Sequence, residues 1–258
     1  MLKLFDFAVV GKDLGAMLTY LPVTLKLTLW SALIGLVLGF VLAVIKIKNI
    51  PGIKQLIAFI VSFIRGTPII VQLYLTFFGI PIALKYINYY RGTNYNVNGI
   101  APVLYAIVAL GINSAAYNAV TIQSALESVD KGEIEAAVSL GLSGRQRMTR
   151  IIIPQAVLLA LPSIGNTLIG LIKGTSLAFT CSVIEMTAAG KIMAGRDYRY
   201  FECYVALAII YWLITIALEF LIGYIVRAVR VPESPEQRKG LLWFVKRNEQ
   251  NREKESTV

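Results

Sequence analysis

The sequence predicts an all-α membrane protein that crosses the bilayer about five times, on three observations. The 258 residues are 57% hydrophobic and only 16% charged, with a mean hydropathy of +0.67, whereas a soluble domain is about 45–50% apolar and about 25% charged. Several charge-free windows reach the roughly 20 residues that a helix needs to cross the hydrocarbon. The apolar/polar alternation of a barrel, in segments of about 10 residues, is missing.

The elements follow in order. Residues 1–20 carry Lys3, Asp6, Lys12 and Asp13 among apolar residues. That is too interrupted for a cleavable signal and suits a helix lying in the interface. Leu27 to Ile45 is charge-free and forms span 1, with Gly35 and Gly39 spaced for close helix packing. A basic turn, 46–54, leads to span 2 at about 55–83, interrupted at Arg65-Gly66-Thr67-Pro68. The aromatic stretch 86–99 reads as an interfacial loop. Span 3 covers about 100–126, and a polar segment fills 130–150. Span 4 runs from about Ile151 to Phe179, a polar loop from 185 to 202, and span 5 from about Tyr204 to Val226. The division is thus a membrane domain, 1–226, and a basic tail, 227–258.

Charge sets the orientation. The net charge is +10, but the basic residues gather in connections and in the tail, the positive-inside pattern rather than a nucleic-acid groove. One side holds 46–54, 130–150 and the tail with fifteen Lys and Arg; the other holds eight. The expectation is therefore N-terminus outside, with the C-terminus and 130–150 in the cytoplasm. Cys181 and Cys203 have no metal or redox spacing, and there is no histidine, so the commonest general base and metal ligand are missing.

The segment EIEAAVSLGLSGRQRMTRIIIP, 133–154, is the oddity. Asp130 with Glu133 reads as an N-cap with an acid three residues on. Ile134, Ala137, Val138 and Gly141 fall on one helical face, Gly141 suits the helix end, and Ser143 to Gln146 is a second capping box. Two short helices meet at a bend. The first has an apolar face that its own loop is not expected to bury, so it needs lipid headgroups or a partner protein.

Its spacing carries a resemblance. Glu135-Ala136-Ala137, three residues, Gly141, nine residues, then Ile151, Ile152, Ile153 and Pro154 is similar to the EAA motif of ABC importer permeases, with Ile153 in place of Leu. Ser62 to Gln72 resembles the S-x-x-RGTP-x-x-x-Q stretch of the polar amino-acid permeases. Ser114 to Tyr117, Ser128 to Gly132 and Lys173-Gly174-Thr175-Ser176-Leu177 resemble further segments of that family. The resemblance implies the type I importer fold, with 130–150 as a cytoplasmic coupling helix docking through Glu135, Ala136, Ala137, Gly141, Ile151 and Pro154. It implies a bacterial inner-membrane location and alternating access. The implied partners are two ABC ATPase subunits, a second permease copy or homologue and an extracellular substrate-binding protein. Loops 86–99 and 185–202 would face that protein. No cofactor is expected on this chain: it has no GxxxxGK[ST] loop, so ATP and Mg belong to the ATPase subunits.

Cargo residues are expected inside the spans. Lys173 stands in a charge-free run, Ile151 to Ile184, where a lysine costs roughly 2.5–3.5 kcal/mol on insertion scales; with Thr175 and Ser176 it is a candidate for an amino acid's carboxylate, or else it snorkels. Asn113, Tyr117 and Thr121 share a face of span 3, which also carries Gln123; that face suggests a cavity wall. Arg65, Thr67 and Gln72 sit at the break in span 2, with Arg65 either on a freed carbonyl or facing the cavity. Val120, Gln123 and Gly174 stand where many amino-acid permeases carry charge, which argues against a cationic cargo. Arg199 to Glu202 and Tyr211-Trp212 resemble cystine permeases in particular. A secondary transporter or channel is the alternative, but it leaves the EAA spacing unexplained. An enzyme needs converging groups, and Glu185, Glu202 and Glu219 are scattered.

Overall fold

The computed structural model describes residues 5–97 and 99–229. The expected tail, 227–258, lies almost wholly outside them. Among the described residues the secondary structure is entirely helical, and five segments are long and apolar enough to cross a membrane: Leu21–Ile47, Ile69–Arg91, Pro102–Glu127, Gly144–Cys181 and Tyr200–Val229.

Ten α-helices follow in order among the described residues: α1 (Phe7–Leu18), α2 (Leu21–Ile47), α3 (Ile53–Gly66), α4 (Ile69–Arg91), α5 (Pro102–Glu127), α6 (Lys131–Ser139), α7 (Gly144–Arg147), α8 (Ile153–Gly174), α9 (Met186–Asp197) and α10 (Tyr200–Val229). A π turn, Met148–Ile152, enters α8, and a 3-10 turn, Thr175–Cys181, leaves it.

Helix α5 is the hub, packed against α2, α3, α4 and α8. The α2–α5 seam is the most extensive helix–helix contact among the described residues, and it uses the two glycines predicted for packing. A Cβ at Gly39 would sit 2.7 Å from the Asn118 Cβ, and one at Gly35 would strike Ser114. Small residues let the two backbones meet, which supplies dispersion contact where lipid offers no hydrophobic drive. Gly111 returns the favour beneath Ile34.

The expected single span over 55–83 is two helices. Pro68 pushes Thr67 into extended geometry (φ −105°, ψ 142°) and breaks the chain there. The crossing helix is α4, and it continues to Arg91 through residues expected to form a loop. Asn88 explains the extension. Its Oδ1 accepts from the Tyr95 N–H and its Nδ2 donates to the Tyr95 carbonyl, each at 2.9 Å, so the returning chain is clasped to the helix. Of α4, only Leu73 is fully enclosed by this chain.

The expected loop 185–202 also holds a helix, α9. It packs with α1 against α10 around Met17, Met186 and Cys203, all fully buried. Glu185 caps it, accepting from the Thr187 and Ala188 N–H groups at 2.8 Å each, and the Tyr211 hydroxyl donates to it at 3.3 Å. Burial pushes the Glu185 carboxyl above its ordinary pKa, against the pull of those hydrogen bonds. Burial raises Asp13 as well, opposed by Lys12 and reinforced by Asp197 and Glu202. Helices α1 and α9 thus form one end of the molecule, and α6 and α7 the other.

Candidate functional site

The α6 segment is built from local rules. Asp130 Oδ1 accepts from the Gly132 N–H at 2.8 Å and starts the helix. At the other end the Leu142 N–H reaches the Ala137 carbonyl at 3.0 Å, and the Gly141 N–H reaches the Val138 carbonyl at 2.9 Å. These two bonds make a Schellman cap. Gly141 sits at φ 76°, and a Cβ there would meet nothing within 4 Å. The glycine is therefore demanded by backbone conformation, not by crowding. Ser143 and Gln146 close the second capping box, as expected. Pro154 lies in the first turn of α8, where a missing N–H is tolerated.

Two expectations for this segment need correction. Glu133 does not close a box with Asp130; it bonds the Gln155 side chain and ties α6 to α8. Nor is the apolar face wholly unpartnered. Ile134 packs within this chain against Ala125, Val129, Ala156 and Ala160, and Ala137 is buried. What stays outside is a different strip: Glu135, Ala136, Val138 and Leu140 are exposed, Leu140 at 80%. The Glu135 carboxylate has no hydrogen-bond or ion-pair partner among the described residues. Ile151 is half-buried and belongs with Pro154 to the root of α8. Leu140 was missed in the sequence. Its signal is a large apolar residue just before a left-handed glycine, where a helix end holds it out.

The second site is a cavity of about 440 Å³ between the start of α4, the middle of α5 and α8. Asn113, Ser114 and Tyr117 line one wall, and Asn166, Thr167, Gly170 and Gly174 line the other. Behind the first wall lies the break in the α3–α4 span. Pro68 has no N–H for the Ile64 carbonyl, and the Gln72 amide takes its place, donating to that oxygen at 2.7 Å and to the Thr67 carbonyl at 3.1 Å. Gln72 Oε1 in turn accepts from Asn113 Nδ2 at 3.1 Å. This repair satisfies polar backbone where water is missing. The Arg65 guanidinium lies over the Tyr117 ring, 5.2 Å from its centre, a cation–π contact rather than a bond to a freed carbonyl.

Five of the ten residues expected along a pathway therefore converge. Asn113 and Tyr117 line the cavity, and Gln72, Thr67 and Arg65 brace them. The other five stand apart. Thr121 lies a turn beyond the lining residues of α5, and Gln123 donates to Glu127 at 2.9 Å. Thr175 is fully buried and donates to the Ile172 carbonyl at 2.6 Å. Lys173 is exposed and Ser176 half-buried, and neither lines the cavity. Helical geometry is the reason. Residues 166, 170 and 174 share a face at four-residue spacing, and Lys173 is a third of a turn off it. The lining carries no acid and no formal charge.

Asn166 and Thr167 were missed by sequence reasoning. Thr167 spends its hydroxyl on the Ser163 carbonyl at 3.0 Å. The Asn166 side chain is exposed and makes no hydrogen bond among the described residues. An amide in the middle of the charge-free run of α8 was the available signal.

The chain is similar to known proteins over most of its length. Residues 23–231 match the family described as "Binding-protein-dependent transport system inner membrane component". It is 39% identical over 218 residues to the L-cystine transport system permease protein TcyL of Bacillus subtilis, covering 84% of this chain and 89% of that protein. It is 40% identical over 212 residues to the probable amino-acid permease protein YxeN of the same organism, covering 82% and 90%. A solved amino acid ABC transporter with histidines superposes with a TM-score of 0.74 at 33% identity, covering 88% of this chain and all of that one.

Proposed function

This chain belongs to the family of binding-protein-dependent transport system inner membrane components, and on that premise we propose that it is the membrane-crossing permease subunit of an ATP-driven amino-acid importer. The observation that carries the reading is the α6 strip. A helix capped at both ends, rooted on α5 and α8, holds Glu135, Ala136, Val138 and Leu140 out of its own fold. A rigid, finished helix with an uncovered apolar strip suits a protein groove. The groove is that of an ATPase subunit, where ATP and Mg are bound and hydrolysed.

The chain pairs with a second copy or a close homologue, and the pair binds two ATPase subunits and an extracellular substrate-binding protein. The charge pattern supports placing α6 and the tail in the cytoplasm and α1 and α9 outside. The membrane domain is 1–226 and the tail 227–258. Alternating access exposes the cavity between α4, α5 and α8 to each side in turn, with α6 as the lever.

The cargo is a neutral amino acid, with cystine the specific assignment. An uncharged lining supports this, as does the name of the relative TcyL. Arg65 is the formal charge beside the wall, and it repels a cationic side chain while attracting a carboxylate. Asn113, Tyr117 and Asn166 face the passing solute; Thr67 and Gln72 hold the wall in place. Lys173, Thr175, Ser176, Thr121 and Gln123 act away from the cavity in this conformation.

The test is reconstitution. This chain, its ATPase and its binding protein are placed in liposomes with labelled cystine. Import should require all three and ATP. Uptake that proceeds without the ATPase contradicts the proposal.

A further inference from the structure

We infer that Asn166 and Gly170, one turn apart on α8, select the cargo: the amide binds it, and the missing side chain sets how large it can be. The inference rests on the import pathway proposed above. Two independent observations carry it.

The first is the unsatisfied amide. Asn166 faces the cavity and is exposed, with no hydrogen bond among the described residues. A primary amide left in apolar surroundings is expensive, so the side chain is matched to water or a polar solute. It offers two donors and an acceptor, suited to the ammonium and carboxylate of an amino acid. The wall opposite presents Asn113, whose Nδ2 is already committed to Gln72 at 3.1 Å. Thr167 beside it is committed too. Among the described residues, Asn166 is the lining amide with both its donors and its acceptor free.

The second is a glycine with no structural reason to be one. Gly35, Gly39 and Gly165 are required by packing, because a Cβ at each would collide with a neighbouring helix. Gly141 is required by its left-handed backbone. Gly170 answers to neither. It lies inside helix α8, its φ is not positive, and a Cβ built on it meets nothing within 4 Å. Glycine in a helix interior is unfavourable by roughly 0.5–1 kcal/mol relative to alanine. The remaining consequence of the glycine is space in the cavity it lines. Cargo bound at Asn166 would lay its side chain over that bare stretch of helix.

The experiment uses the full complex in liposomes and a mixture of labelled amino acids that includes cystine. Import and ATP hydrolysis are measured together for whichever amino acid the unaltered complex takes up. A series Gly170→Ala, Gly170→Val and Gly170→Leu should cut import progressively, by about tenfold or more at leucine, while the ATP consumed per amino acid imported rises. Gly170→Ala adds one methyl to open space and keeps the test valid if a larger variant fails to fold. Asn166→Leu should lose import in the same uncoupled way, with Asn166→Gln recovering part of it. Separately, Gly170→Cys should react with a water-soluble methanethiosulfonate, because position 170 is exposed while native Cys181 and Cys203 are fully buried and stay silent, and imported amino acid should slow the reaction. A fall of import and hydrolysis in equal proportion through the series overturns the inference, as does an unreactive thiol at 170. No ATP-driven import by the unaltered complex overturns the import reading itself. That failure is recognised before any variant is made.

Discussion

The α6 segment and the α5–α8 wall treat exposed groups in opposite ways. In α6 the capping hydrogen bonds are made, and beside the exposed charges of Lys131, Glu133 and Glu135 an apolar strip is left outside: Ala136, Val138 and Leu140. On the wall of the cavity the surroundings are apolar, and what is left outside is polar: Asn166, the Tyr117 ring under Arg65, and the remaining capacity of Asn113. A finished backbone with spare apolar surface calls for another protein. Spare hydrogen-bonding groups in an apolar wall call for water or a small solute. The two regions share α5 and α8, so a push on one end of these helices reaches the other without a separate relay.

The largest effect should come from attacking the strip where it is most exposed. Leu140→Asp puts a charge where a groove would enclose the side chain, and should weaken ATPase binding by about 2 kcal/mol or more. Co-purification and ATP-driven import report it. With Leu140 at 80% exposure, the melting temperature of the isolated chain should barely move.

The wall is tested by Gln72→Leu, which strips the shorter of two donors from the Ile64 carbonyl at the Pro68 break and leaves the Thr67 hydroxyl at 3.3 Å. The loss should be about 1–3 kcal/mol of stability, read as earlier thermal unfolding in detergent. It should disturb cargo import more than ATPase binding, the reverse of Leu140→Asp.

These two sites also differ in how far the sequence disclosed them. Caps, a left-handed glycine and motif spacing are local rules, so α6, Gly141 and the Ser143 box were readable. Which apolar residues of α6 stay uncovered was not, because Ile134 finds its partners at the end of α5 and on α8. The five spans were visible as apolar windows. The split at Thr67 was marked by Pro68, but the reach of α4 to Arg91 depends on the Asn88 clasp with Tyr95. Helix α9 has no apolar periodicity strong enough to announce itself, and only its burial against α1 and α10 makes it a helix worth keeping. Lys173 drew attention as an isolated charge. A third of a turn decided that Gly170 and Gly174 line the cavity in its place.

A smaller effect should follow from Gly141→Ala. The left-handed conformation costs an L-residue about 1–2 kcal/mol, so the Schellman cap should fray and the lever soften. ATPase binding should survive, with less amino acid imported per ATP. Smallest is the pH response of the opposite end. Glu185 and Asp13 hold their protons more tightly folded than unfolded. Stability should therefore be greatest at low pH and decline as pH rises from the ordinary carboxylate range through their raised values. Glu185→Gln should flatten part of that slope in thermal unfolding scans, leaving the Asp13 share.

The division of labour between the two regions is tested most directly by one ratio, the ATP hydrolysed per amino acid imported, measured in liposomes for Leu140→Asp and Gly170→Leu side by side. Leu140→Asp should lower hydrolysis and import together and leave the ratio near that of the unaltered complex, whereas Gly170→Leu should raise it by about tenfold. The opposite pattern, or a Leu140→Asp complex that hydrolyses and imports as the unaltered one does, would contradict that division of labour.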